Sequence, residues 1–318
     1  MSLHVVVGAG PVGSAIACLL ADRGDQVRLV TRSGNGPEHP GIDRRKADAT
    51  DPEALARLAD GAAVLYHCAG PAYHRWLTEF PPLSAAVLQA AERTGAVLIS
   101  AGNLYGYGLV AGPITEDLPV RPNSAKGRVR AGLWAAQRAA HTAGRVRTAE
   151  VRGSDYLGAG AQTFFTIMVL PAVLKERRAL APADLDAPHS WTYTGDMART
   201  MIAVGADESA WGRAWHAATP PPVSVRTLAA RAATLAGAAP ARIGRMPSPL
   251  LRLAGLLSPG ARELPEMRYQ FDRPFVLDST AAQRAFNLAP ASTDEALGET
   301  IRAMKATAQR ADHELSPV

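Results

Sequence analysis

Six residues, Gly8-Ala9-Gly10-Pro11-Val12-Gly13, sit between the apolar run His4-Val5-Val6-Val7 and a stretch in which Val12, Ile16, Leu19 and Leu20 recur at helical spacing. Few folds accommodate that order. A strand, a tight glycine turn and an amphipathic helix open a βαβ unit. In such a unit Gly8 permits the turn, Gly10 admits a pyrophosphate close to the backbone, and Gly13 lets helix and strand approach. Free amides at the helix start favour phosphate charge. The expectation is a dinucleotide site on Gly8, Gly10, Pro11, Val12 and Gly13.

The second strand is read over residues 26–30 and ends at Thr31-Arg32-Ser33. NAD-selective sites commonly present an acid here to the ribose hydroxyls. Thr31 takes that position, and Arg32 with Ser33 can pair with a phosphate instead. NADP(H) is therefore the expected cofactor, with NAD(H) the alternative. Asp48, after the third strand, is the candidate for the adenine side.

Asp51-Pro52-Glu53 reads as a helix start, with an Asp cap and Pro in the first turn. Further strands at 63–66, 96–100 and 147–152 alternate with helices at 83–92 and 126–140, which implies a mostly parallel sheet covered on both faces. Strand ends bring Cys68, Ala69, Gly70, Ser100 and Asn103 to the cofactor crevice. After residue 156 the repetition weakens into a helix at 162–174, a Pro- and Ala-rich stretch at 179–188, and helices near 225–235, 249–256 and 294–307. The expected fold class is α/β. A Rossmann-like, doubly wound, mostly parallel sheet occupies 1–156 and 189–204, and a smaller, largely C-terminal α/β substrate region occupies 157–188 and 205–318.

Composition narrows the function classes. Hydrophobic residues make up 47% of the chain and charged ones 20%, enough for a core and a polar surface. No apolar run approaches the roughly 18 residues of a membrane span, and the N-terminus lacks the pattern of an export signal. A cytoplasmic protein without membrane partners is expected. Cys18 and Cys68 lack metal-ligand spacing, so no metal is expected. The formal charge of +5 rests on arginine, and the one compact basic run, Arg44-Arg45-Lys46, has no aromatics between its charges. Nucleic acid is not expected as a partner; a small-molecule substrate is, on a monomer or homodimer.

Gly8-x-Gly10-x-x-Gly13, the turn around Asp48, His67-Cys68-Ala69, Asn103-Leu104-Tyr105-Gly106, Arg152-Gly153-Ser154-Asp155-Tyr156, Tyr193-x-x-Asp196 and the segment 278–286 follow one another along nearly the whole chain. In that order they resemble the extended short-chain dehydrogenase/reductase superfamily, in an atypical form, and within it the NAD-dependent epimerase/dehydratase-like members. The resemblance implies a Rossmann-like cofactor domain, a Ser or Thr after the fifth strand, and a Tyr-x-x-x-Lys pair on the next helix. There the tyrosine exchanges a proton with substrate, and the lysine lowers its pKa and holds the nicotinamide ribose. This chain departs from the pattern. Ala101 stands at the Ser/Thr position beside Ser100, Lys126 at the tyrosine position and Arg130 at the lysine position.

Lys126 is the first candidate for proton transfer and Tyr105 the second. Arg130, whose pKa is too high for a proton shuttle, is read as an electrostatic and cofactor contact. Ser100 and Asn103 are read as orienting the reacting heteroatom. Tyr73, His74, Tyr107, Asp155, Tyr156, Phe164, His189 and Trp191 are candidate substrate contacts. The main functional expectation is an NADPH-dependent reductase of a carbonyl or imine in a small organic molecule. The alternatives are an NAD(P)-dependent sugar or polyketide-derived epimerase/dehydratase, and an inactive NAD(P)-binding redox sensor or interaction protein.

Overall fold

The computed structural model describes residues 2–247 and 263–314; the helix read near 249–256 lies outside the described residues. In chain order the described strands are β1 (Leu3–Val7), β2 (Gln26–Thr31), β3 (Ile42–Lys46), β4 (Ala62–His67), β5 (Val97–Asn103), β6 (Thr148–Gly153), β7 (Asp155–Leu157), β8 (Ala179–Ala181), β9 (Trp191–Tyr193), β10 (Ala214–His216) and β11 (Ile243–Arg245). The helices used below are α1 (Pro11–Asp22), α2 (Pro52–Leu58), α3 (Trp76–Thr94), α4 (Ala125–Thr142), α5 (Leu170–Leu174), α6 (Thr194–Ala206) and α7 (Val225–Ala236).

The chain divides into two compact units. The first comprises Met1–Gly153, Gly195–Ala218 and Asp278–Ala289; the second comprises Ser154–Thr194, Thr219–Leu277 and Pro290–Val318. The sequence reading ended the first region at 156 and returned to it over 189–204. Pairing explains the different bounds: Ala214 to His216 lie beside Glu150 to Arg152 as a seventh strand, and the His216 ring bonds the Asp278 carbonyl, which holds a third piece of chain to the same unit.

In the first unit seven parallel strands run in the order β10-β6-β5-β4-β1-β2-β3. Val5, Val6, Leu65, Leu98 and Ile99 are fully buried, as strands covered on both faces require. Order reverses between β1 and β4, so a crevice opens at their carboxyl ends. The expected cap of α2 is present, with Asp51 accepting from the Glu53 and Ala54 amides at 3.0 Å each. At α4, Ser124 Oγ accepts from the Gly127 amide at 3.0 Å. A Cβ on Gly127 would stand 2.6 Å from the Tyr105 carbonyl oxygen, so this glycine lets the first turn of α4 lie against that segment. At the far edge β3 buries only Ile42; Asp43, Arg44, Arg45 and Lys46 are exposed.

The second unit pairs β7 with β9 and β8 with β11, both parallel. Leu157, Phe165, Leu170, Trp191, Leu228 and Leu297 share its core. Helix α7 buries Val225, Leu228, Ala229, Ala232 and Ala233, one helical face. Where one helix was read over 162–174, residues Phe165–Val169 form a π-helical turn that leads into α5. Pro171, which has no N–H to donate, is the second residue of α5. Among the described residues no helix is long and apolar enough to cross a membrane.

Candidate functional site

At the carboxyl ends of β1, β2 and β4 lies a cavity of about 700 Å³, walled by Gly8, Ala9, Gly10, Thr31, Arg32, Ser33, Asp48, Cys68, Ala69 and Gly70 among others. Gly8 has φ +98°, and a Cβ there would stand 2.7 Å from the Ala69 backbone. A Cβ on Gly13 would stand 1.9 Å from the Gly8 carbonyl oxygen, so helix and turn are in direct contact there. Gly10 is the opposite case: nothing lies within 4 Å of where its Cβ would be. It is also the N-cap of α1, makes no side-chain cap bond, and precedes Pro11 at the first helical position. The amides beyond Pro11 are left for an anion. These residues fit a dinucleotide phosphate.

The far end of the cavity is more constrained than the sequence suggested. Thr31 Oγ1 donates to the Asn35 carbonyl at 3.0 Å, and Ser33 Oγ accepts from the Asn35 amide at 3.3 Å, so both hydroxyls shape their own turn. Asp48 accepts from the Thr50 amide and hydroxyl at 3.0 and 2.8 Å. Those bonds hold its carboxyl below the usual range, with the Arg32 charge adding to the effect. Arg32 thus lies within electrostatic range of a carboxylate fixed by Thr50. Burial pushes the Cys68 thiol up to about 12, which leaves a neutral wall.

Near the ends of β4 and β5 an aromatic cluster gathers the unusual cations. Arg130 Nη1 donates to the Ala101 carbonyl at 3.0 Å. Its guanidinium carbon lies 4.6 Å from the centre of the Trp76 ring and 4.5 Å from that of Phe80, within cation–π range of both. Lys126 is 0% exposed, and its Nζ is 4.6 Å from the centre of the Tyr73 ring. The hydroxyls of Tyr73 and Tyr105 are 3.5 Å apart, and the Tyr105 amide donates to Asn103 Oδ1 at 3.2 Å. Lys126, Arg130, Tyr105, Asn103 and Tyr73 therefore come together. Trp76 and Phe80 were not among the site residues expected from sequence.

Ser100 lies beside His67 in the β4–β5 register. Among the described residues, Ser100 Oγ and both His67 ring nitrogens are buried without a hydrogen-bond partner. Burial pushes His67 down to about 3, with the Arg130 charge acting in the same direction, so the ring is neutral. His74 is exposed on the short turn after Tyr73. Tyr107 is buried, its hydroxyl 2.9 Å from His216 Nε2. Arg152 lies over the Tyr107 ring at 4.8 Å and pairs with Glu150 at 2.6 Å. The remaining candidates belong to the second unit. There Asp155 Oδ2 is 2.8 Å from His189 Nε2, Phe164 and Trp191 pack with ring centres 5.9 Å apart, and Tyr156 is half-buried in β7.

No curated protein sequence matches the chain, but solved structures do. The Bordetella bronchiseptica enzyme WbmH, in complex with NAD+, is 16% identical with a TM-score of 0.75, covering 96% of this chain and 99% of that one. DesIV, a dTDP-glucose 4,6-dehydratase from Streptomyces venezuelae, as a double mutant with NAD and DAU bound, is 20% identical with a TM-score of 0.77, covering 98% of each chain. UDP-glucuronic acid 4-epimerase from Bacillus cereus, in complex with NAD, is 16% identical with a TM-score of 0.76, covering 96% of this chain and 98% of that one. These likenesses establish the fold. Residues 4–215 match the pattern of the NAD dependent epimerase/dehydratase family.

These findings correct two expectations. The matched family is one of epimerases and dehydratases, not of NADPH-dependent carbonyl or imine reductases. The cofactor in the three structures named is NAD, not NADP. The physical reason for the second error is that Arg32 was read alone, whereas the folded chain sets the Asp48 charge near it, opposing a 2′-phosphate. With the glycine turn at the reversal of strand order and a family match over 4–215, the chain belongs to the NAD dependent epimerase/dehydratase family, within the extended short-chain dehydrogenase/reductase superfamily, and is an NAD(P)-dependent enzyme.

Proposed function

We propose that this protein is an NAD-dependent epimerase or dehydratase acting on a nucleotide-linked sugar. The observation that carries the reading is the cavity over Gly10, open to a phosphate and walled by Gly8, Arg32, Asp48 and Cys68 in a chain of this family. The substrate class is supported by the dTDP-glucose and UDP-glucuronic acid enzymes that share the fold. When bound, NAD supplies a two-electron acceptor and donor, taking a hydride from a carbinol and later returning it.

The chain's own residues do the remaining work. The Gly8–Gly13 turn and the α1 amides hold the pyrophosphate, and Thr31, Arg32, Ser33 and Asp48 bound the adenosine end, facing Ala69 and Gly70. Arg130, fixed by Ala101, Trp76 and Phe80, takes the ribose-holding place and presents a permanent cation to negative charge developing on the substrate oxygen. Lys126 adds a second positive charge beneath Tyr73. Ser100 and Asn103, at the end of β5, orient the reacting oxygen.

An epimerase or dehydratase returns its cofactor unchanged. Purified protein is incubated with UDP- and dTDP-hexoses and substoichiometric NAD, and products are followed by NMR. The expected result is conversion of the sugar without net NADH. Conversion that consumes NADPH in equal amount, or NAD binding without conversion of any nucleotide sugar, would overturn the proposal.

A further inference from the structure

Lys126 occupies the position that the family pattern gives to its proton-exchanging tyrosine, yet the folded chain seals it off. It is 0% exposed, and its Nζ lies 4.6 Å from the centre of the Tyr73 ring. Tyr73 and Tyr105 are half-exposed, with hydroxyls 3.5 Å apart. Of these three groups the two phenols are reachable from solvent and the ammonium is not. Both phenols are firmly placed. The Tyr73 ring packs edge-on to Trp76 at 5.0 Å. Tyr105 is tied by its amide to Asn103 and lies with its carbonyl against Gly127, the residue after Lys126.

We propose that the Tyr73 hydroxyl exchanges the substrate proton, with Tyr105 as its hydrogen-bond partner and Lys126 as a positioning residue that favours the phenolate from beneath. The inference rests on the reading of an NAD-dependent reaction at a carbinol. A buried positive charge next to a phenol stabilises its ionised form, and more strongly where water is excluded. The acid and the cation that the family pattern sets four residues apart on one helix are here supplied by two segments, residue 73 after β4 and residue 126 at the start of α4. In the forward step the substrate O–H bond breaks as its proton bonds to Tyr73 Oη, while the hydride leaves carbon with its electron pair for the dinucleotide. The return transfer restores both. Among the described residues, the charged and titratable groups near this phenol include Lys126 over its ring, Tyr105 at its hydroxyl, and His74 and Arg75, which follow it on the same turn.

The test uses substrate-free, full-length protein and follows tyrosinate ultraviolet absorbance against pH. Seven tyrosines are present, and burial pushes Tyr66 and Tyr107 upward, which removes both from the early part of the titration. One phenol should ionise about 1 to 3 pH units below free tyrosine, itself near about 10. Tyr73→Phe, which keeps the ring over Lys126, should abolish that phase. Lys126→Met should return it to the ordinary range, and Lys126→Arg should restore most of it. In single turnover with a nucleotide sugar, Tyr73→Phe should slow the chemical step by about 100-fold or more with NAD affinity unchanged. Absence of an early phase, its survival in Tyr73→Phe, or an unchanged chemical step in that variant overturns the proposal. Failure of NAD binding or of sugar conversion in the parent counts against the reaction itself, while the titration still decides the Tyr73–Lys126 relation.

Discussion

The Tyr107 hydroxyl and the His216 ring form a buried pair with a defined direction. His216 Nδ1 lies 2.7 Å from the Asp278 carbonyl and donates to it, so in the neutral ring Nε2, 2.9 Å from the phenol, accepts. Burial pushes the ring's pKa down to about 4 from an ordinary 6.5, which leaves it neutral near pH 7. Between those two values the unfolded chain binds a proton that the folded chain refuses, so stability falls as pH is lowered through this window and levels off below it. Urea midpoints measured at about pH 7 and about pH 5 should therefore drop less in His216→Gln than in the parent. Equal drops would show that His216 does not set the acid sensitivity.

Gly13 and Gly10 separate packing from ligand contact. Gly13→Ala drives a methyl group into the Gly8 carbonyl and should cost about 1 to 3 kcal/mol of stability along with NAD binding. Gly10→Ala meets no protein atom within 4 Å, so thermal unfolding should stay at the parent temperature while NAD affinity falls at least tenfold, about 1.4 kcal/mol. Undiminished NAD binding in Gly10→Ala would remove the phosphate from this turn.

Asp48 is the residue at which cofactor choice can be tested. Asp48→Asn removes the carboxylate near Arg32 and should raise NADP affinity relative to NAD by about fivefold at low salt, where charge effects are least screened. Arg32→Ala should leave NAD affinity within about twofold. Calorimetric titration of both nucleotides reads each ratio, and a parent that prefers NADP would contradict the assignment.

Arg130→Lys keeps the charge but loses the guanidinium that contacts both the Trp76 and Phe80 rings. It should lower stability by about 1 to 2 kcal/mol and weaken NAD binding, measured by thermal unfolding and titration. Full retention of both would make the arginine a bystander.

The first half of the fold was legible because each strand there is an apolar run bounded by turn residues. The glycine turn, the Asp51 cap and the βα alternation are all local signals. β10 was not legible as part of the same sheet. Three residues carry no periodicity, and their place is settled by pairing with Glu150 to Arg152 some 60 residues earlier. The candidate site divides in the same way. Gly8, Gly10 and Gly13 declare themselves by spacing, but the contact of Tyr73 with Lys126 and the electrostatic influence of Arg32 on Asp48 each join segments that only the folded sheet brings together. Reading Arg32 without Asp48 produced the wrong nucleotide.

Among the described residues β3 has a neighbour on one side only, so its outer row of amides and carbonyls is an open invitation to a strand from another molecule. Asp43, Arg44, Arg45 and Lys46 occupy that rim consecutively, and Asp43 is held in place by Arg45 at 2.9 Å. A second copy docking there would set guanidinium against guanidinium and strip water from each. The compact basic run thus lines the sheet edge with like charges that a second strand would have to approach.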